Sequence, residues 1–216
     1  MKRPYWSAVG FAALLAVSSA GCVTTAPPPG APQAGFPVRP APGSTWVMVI
    51  RDSGSFGSVN REVTFRSRGE ETWQGRKVYA VQATESAWMY DVVNAGMVAR
   101  IRGTTPLESW DPPLAWNWPL WVGKSWPLTY RYTSHDRAQT FNVQAWVKVE
   151  AHEDIKVPAG TFKAFRVTYA DEGTEAVNWW SPDLHMSVKQ TIQRTRAHFA
   201  GVGTRELELV SHDFKT

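Results

Sequence analysis

The chain of 216 residues contains a single cysteine, Cys22. One thiol excludes an internal disulfide and a cysteine-built zinc site. Charge of one sign is also scarce in excess: 23 Lys and Arg stand against 19 Asp and Glu. Lys2 and Arg3 fall in a segment read below as removed, which leaves 21 against 19 and a net of +2. That balance gives no electrostatic footprint for nucleic acid. No apolar run reaches the ~20 residues of a membrane-spanning helix. After residue 43 there is no convincing helical period and no internal repeat. The Gly-Xaa-Ser-Xaa-Gly elbow, the phosphate-cradling loop and the dinucleotide fingerprint are missing too, so no cofactor is expected. What remains is substantial: 43% of residues are apolar, enough for one domain with its own core and against wholesale disorder.

The N-terminus has the three-part layout of a secretory signal. Lys2 and Arg3 are positive, Tyr5 to Val17 are mainly apolar, and Ser18, Ser19, Ala20 and Gly21 are small. Cys22 follows directly. Here the segment resembles a bacterial lipoprotein signal, in which small residues precede the cysteine that is acylated. Ala20, Gly21 and Cys22 fit, while Ser19 replaces the usual Leu. The resemblance implies cleavage after residue 21 and lipidation at Cys22, hence a membrane partner through the lipid anchor. The absence of Asp at position 23 implies the outer membrane, with the protein facing the periplasm. Residues 22–43 follow as a linker holding seven of the 15 prolines. Proline lacks the backbone donor and fixes φ, so an extended tether is expected there rather than helix or sheet.

Residues 44–216 read as a single all-β domain. From Gln139 to Glu150, Phe141, Val143, Ala145, Val147 and Val149 alternate with Asn142, Gln144, Trp146 and Lys148. Period two over this length marks a half-buried strand. Shorter alternations run through Met97–Arg102, Leu128–Thr133, Met186–Gln193 and Glu206–Leu209, and β-rich runs cover Val59–Phe65, Lys77–Thr84 and Phe162–Tyr169. Turn residues separate them: Asn94-Ala95-Gly96, Val157-Pro158-Ala159-Gly160, Asp171-Glu172-Gly173 and Ser181-Pro182-Asp183. Hairpins in succession predict a strongly curved antiparallel meander, a half-open β-barrel wrapped round a core or a cavity.

Two stretches carry a further resemblance. One is Val157-Pro158-Ala159-Gly160-Thr161-Phe162 with Trp179-Trp180-Ser181-Pro182-Asp183 and Val188-Lys189. The other is Pro119-Leu120-Trp121-Val122-Gly123-Lys124-Ser125-Trp126. Together they resemble the bacterial envelope proteins of the DUF3108-like group, broadly similar to the half-barrels of lipoprotein carriers. The resemblance covers roughly Trp116 to Gln193. It implies a fold and no catalytic residues.

Tryptophan is the anomaly. Of 12 in the chain, five are crowded between positions 110 and 126: Trp110, Trp116, Trp118, Trp121 and Trp126. Three readings compete for this Pro-rich stretch. Its rings plug the core, or they line a site for an acyl chain or a sugar, or they meet a membrane interface or an envelope protein. Exposed Trp146 would extend such a patch if Trp88 or Trp179 lay beside it. Arg100, Arg102, Arg194 and Arg196 are candidates for a basic strip.

Catalytic marks are weak. The five histidines, His135, His152, His185, His198 and His212, have no metal-ligand spacing. Ser134-His135-Asp136 and Ser211-His212-Asp213 cannot form a triad on one strand, where neighbours point to opposite faces. Glu70, Glu71, Glu85 and Asp91 would have to be paired in a groove for glycoside hydrolysis. The expectation is a non-catalytic interaction or structural lipoprotein of the envelope. The alternative is a carrier or binder of a lipid or acyl chain in a curved-sheet cavity. A polysaccharide-acting enzyme ranks third.

The anchor is directly testable. The native chain is expected to sediment with membranes, and Cys22→Ser to move it to the soluble periplasmic fraction. Retention of that variant on membranes would refute the anchor.

Overall fold

A computed structural model of the chain describes residues 26–215. The export segment and Cys22 lie outside the described residues. Twelve strands follow one another: β1 (Thr45–Gly54), β2 (Val59–Trp73), β3 (Arg76–Gln82), β4 (Ala87–Asp91), β5 (Met97–Arg102), β6 (Thr105–Leu114), β7 (Ser125–Ser134), β8 (Gln139–Val157), β9 (Gly160–Ala170), β10 (Thr174–Ser181), β11 (Met186–Arg194) and β12 (Gly203–Asp213). Each pairs antiparallel with its sequence neighbours, and the four expected turns join β4 to β5, β8 to β9, β9 to β10 and β10 to β11. The all-β antiparallel meander is therefore as expected.

The half-open shape is not. β1 and β12 pair over ten positions, from Thr45 opposite Asp213 to Gly54 opposite Gly203, and close the barrel. The driving force is plain: an open sheet would leave two rows of unpaired backbone donors and acceptors at its edges. Bulges at Arg68, Val98, Glu150, Val188 and Val210 supply the extra bend that closure needs.

Alternation now sorts the side chains. On β1, Met48 and Ile50 line the interior while Arg51 faces out. On the outer face Arg51 lies 2.8 Å from Glu208, and Lys189 lies 2.7 and 2.8 Å from Glu206 and Glu208. Such pairs are worth about 0–1 kcal/mol each at a surface. Their value here is diagnostic: a bilayer-spanning barrel presents an apolar band where these strands present charge. Among the described residues no helix is long and apolar enough to cross a membrane either.

The linker departs from a free tether. Ala34 exchanges backbone hydrogen bonds with Leu120, at 3.0 and 2.8 Å, and is buried. Ser67 Oγ and Tyr79 Oη both donate to the Pro40 carbonyl at 2.9 Å. The Arg39 guanidinium lies over the rings of Tyr79 and Tyr90, 5.0 and 5.2 Å from their centres. Gly69 sits at the β2 bulge with φ of +84°, where a Cβ would lie 2.6 Å from Pro42 Cγ. So the chain from Ala34 to Gly43 is extended, as its prolines require, but bound to the barrel: prolines that cannot donate still offer carbonyls.

These contacts fall at the end of the barrel that carries the β2–β3, β4–β5, β6–β7, β8–β9 and β10–β11 connections, here the lower end. The β8–β9 tip contributes there as well. Val157 joins Met48, Val188 and Leu209 in one apolar cluster, and Ala159 N donates to the Leu209 carbonyl at 3.0 Å.

The seam gives a stability test. A Cβ on Gly203 would lie 2.7 Å from both Ser53 O and Ser55 N. Gly203→Ala is expected to cost about 1–3 kcal/mol, read as a lower urea midpoint at unchanged m-value. An unchanged midpoint would contradict the closure.

Candidate functional site

The barrel encloses a cavity of about 1360 Å³, above the ~300–1,000 Å³ of ordinary small-molecule sites. Apolar side chains from strands all round it supply the wall, among them Ile50, Val63, Val81, Val143, Ile192 and Leu207. These positions are inward by the period-two rule, and the β-branched Val and Ile among them suit a pleated surface.

The five clustered tryptophans divide. Trp110, on β6, is buried in the wall, its ring centre 6.5 Å from Trp88 and 5.6 Å from Tyr132. Trp116 and Trp118 belong to the β6–β7 connection and fold against Trp180 of β10, with centres 5.6 and 5.2 Å away. These three line the cavity. Trp121 and Trp126 do not; both are buried, and Trp126 packs with Val147, Val149 and Phe165. The rings thus divide between core and lumen: Trp121 and Trp126 are packed away from the cavity, while Trp110, Trp116 and Trp118 face it. The indole N–H groups of Trp118, Trp126 and Trp180 are buried with no acceptor among the described residues. Ring contact, rather than indole hydrogen bonding, packs these tryptophans.

Lys124 was not singled out from the sequence. It is 4% exposed, and its ammonium donates to the Asn117 carbonyl, to Asn117 Oδ1 at 3.2 Å and to the Pro119 carbonyl at 2.8 Å. It also lies 4.2 Å from the Trp121 ring centre. Burial lowers its pKa. All three ammonium protons are used inside the loop, so Lys124 is its internal clip. The signal was present: it is the one basic residue between Trp110 and Trp126.

The upper end of the cavity, beneath the β1–β2, β5–β6, β7–β8 and β11–β12 connections, is polar. Arg205 forms two hydrogen bonds with Asp52, at 2.7 Å each. Arg100 Nε donates to Glu108 Oε2 at 2.6 Å, and Tyr132 Oη to Glu108 Oε1 at 2.9 Å. Tyr130 Oη and Tyr169 Oη lie 2.6 Å apart, and Tyr169 Oη donates to Asp171. Asp171 Oδ1 in turn accepts from the backbone of Gly173 and Thr174. Burial pushes the Tyr130 hydroxyl up to about 12 and raises Tyr132 and Tyr169 further, so all three stay protonated donors. Arg194 projects into the cavity, with its guanidinium 3.7 Å from the Phe56 ring centre.

Other candidates from the sequence do not converge. Ser134 Oγ donates to Asp136 at 2.7 Å, whereas His135 Nε2 meets Ser109 Oγ at 2.9 Å, so the three side chains do not form a relay. His212 packs on Phe214. Glu71, Glu85 and Asp91 lie beside Arg68, Arg102 and Arg76 respectively, and Glu70 is exposed. Among the described residues no group of His, Cys, Asp and Glu is placed to hold a metal ion. Trp146 is exposed on β8, but Trp88 faces the cavity and Trp179 donates to Glu153, so no aromatic patch forms. The basic strip fails because β5 and β11 lie far apart round the barrel.

No protein-family model matches the chain, and no curated protein matches it. The likeness to the DUF3108-like group therefore stands on the quoted motifs alone. Solved structures do resemble it. An exported protein of Bacteroides fragilis with a YmcC-like fold is 11% identical and aligns over 83% of this chain and 99% of that one, with a TM-score of 0.47. A protein of Parabacteroides distasonis named as a lipoprotein shares 11% identity over the same shares, with a TM-score of 0.42. The Escherichia coli lipoprotein YmcC shares 10% over 79% of this chain and 85% of that one, with a TM-score of 0.36.

The tryptophan packing can be tested by truncation. Trp118 is partly buried against Trp116 and Trp180. Trp118→Ala is expected to lower stability by about 2–4 kcal/mol in urea unfolding. An unchanged midpoint would mean that the loop does not support the fold.

Proposed function

We propose that this protein is a membrane-tethered envelope lipoprotein whose barrel binds a lipid or acyl chain in its lumen, without catalysing a reaction on it. One observation carries the reading: a cavity of about 1360 Å³ whose wall is more apolar than polar, with tryptophan rings at the lower end and charged groups concentrated at the upper end. A cavity of that size with a mainly apolar and aromatic lining suits a flexible apolar chain better than a compact polar metabolite. The charged outer face of β1, β11 and β12 supports a container over a transmembrane pore.

The location rests on the sequence. The signal layout and Cys22 after Ala20 and Gly21 support export and acylation, and the residue at position 23 supports the outer membrane facing the periplasm. Several acyl chains at ~0.8 kcal/mol per buried CH₂ suffice for a stable anchor. The purely structural reading would call for a flat exposed apolar patch. Of the large exposed hydrophobic residues among those described, Phe36 and Val38 lie in the linker and Val93 and Val122 in lower-end connections, while Trp146 and Val202 lie apart from them.

Native mass spectrometry tests the reading. The full-length chain carrying Cys22→Ser, purified from the periplasm without detergent, is expected to carry a lipid-mass adduct lost on denaturation. A bare polypeptide mass that also fails to take up a fluorescent acyl probe would overturn it.

A further inference from the structure

We propose that the chain held in the lumen ends in a singly anionic headgroup, received at the upper end by Arg194 with Ser55 and Phe56. The inference rests on the lumen-binding reading above and adds the chemistry of the ligand's polar end.

It begins with charge matching. At the upper end Arg205 is answered by Asp52 and Arg100 by Glu108. Arg194 has no carboxylate within ion-pair distance among the described residues. Its hydrogen bonds are long ones, Nη1 to the Ser55 carbonyl at 3.3 Å and to Ser55 Oγ at 3.4 Å. Glu108 is the carboxylate whose charge it feels, and that group is engaged by Arg100 and Tyr132. The surroundings carry both signs: Asp136, Asp171 and Glu172 line the same end as further arginines. Arg205 also lies over Phe56, 4.6 Å from its centre, and Arg137 lies over Phe199 at 5.7 Å. Burial, with the Arg194 charge next, lowers the pKa of His198, which leaves that ring neutral at physiological pH. Burial likewise lowers the pKa of Arg194, a sign that its charge is poorly solvated.

A partly desolvated cation without a counter-charge is costly inside an apolar cavity, and an anion relieves that cost. Phe56 holds the guanidinium plane, so its edge donors stay aligned as a fork that two oxygens of a carboxylate or a phosphodiester can meet. Among the described residues Arg194 is the half-buried arginine of the upper end without an ion pair, and one such cation fits one negative charge. Arg39, at the lower end, also lines the cavity without a carboxylate in ion-pair distance among the described residues, but its guanidinium is covered by the rings of Tyr79 and Tyr90 and its Nη2 is buried. It fastens the linker. The polar end of the ligand is therefore directed upward, and its apolar chain runs down toward Trp116, Trp118 and Trp180.

The test compares headgroups on similar chains. The full-length Cys22→Ser chain, stripped of bound lipid, is titrated with palmitate, hexadecanol and palmitoyl-lysophosphatidylglycerol by displacement of a fluorescent acyl alcohol. At least one of the two anions is expected to bind about tenfold tighter than the alcohol, as one charge-assisted hydrogen-bonded pair implies. The stronger anion names the carboxylate or the phosphodiester as the source. Arg194→Gln is expected to bring that anion to the affinity of hexadecanol, with hexadecanol itself unchanged, and Arg194→Lys to keep most of the preference. Equal binding of anions and alcohol by the unsubstituted protein would overturn the headgroup assignment and leave the lumen reading standing. So would a preference that survives Arg194→Gln. Failure of all three ligands to bind would overturn the lumen reading itself.

Discussion

A closed barrel of twelve strands is too wide for its own side chains to fill. Eight strands leave an interior that side chains occupy, and sixteen or more leave an aqueous channel. Twelve fall between, and protein interiors tolerate few voids. The rest of the structure answers this constraint. From the lower end the β6–β7 connection brings in Trp116 and Trp118, and the linker brings in Pro37 and Arg39. The β8–β9 tip joins Met48 and Leu209 at the same end. What these inserts leave unfilled is the cavity.

The choice of tryptophan follows from the same geometry. Aromatic rings cover a large area at small entropic cost and reach across a wide lumen where Leu or Val cannot. Orphaned indole donors are tolerated because the rings make close tilted and edge-on contacts. A loop so rich in rings would collapse in many ways. Lys124 selects one of them by tying the Asn117 and Pro119 carbonyls to a single point.

The fold was legible where the period was clean. β7, β8 and β11 show a clear apolar alternation, β5 a shorter one and β9 a β-rich run, and their turns carry Gly, Pro, Asn or Asp. β1, β4 and β6 were not recognised. β6 contains Pro106, Pro112 and Pro113, which read as loop. It survives as a strand because it pairs with β7 only from Glu108 to Asp111, so Pro112 and Pro113 interrupt no rung there. Closure was not legible because β1 and β12 lie at opposite ends of the chain and neither carries a mark of the other. The same limit applies to the site. Trp110, Trp116 and Trp118 stood out by composition, but Arg194 gains its meaning from Ser55 and Phe56, more than 130 residues away. Arg100 and Arg102 resembled it in sequence and are matched by Glu108 and Glu85.

The docked linker sets a leash and a heading. Only twelve positions separate Cys22 from Ala34, the residue bridged to Leu120. With the anchor proposed above, that stretch spans at most roughly 40 Å, and it departs from the plugged end. The barrel is then moored by its base, close to its own bilayer, with Arg194 and the tyrosine network turned outward. Cargo would be exchanged across the gap, with whatever faces the membrane from the other side.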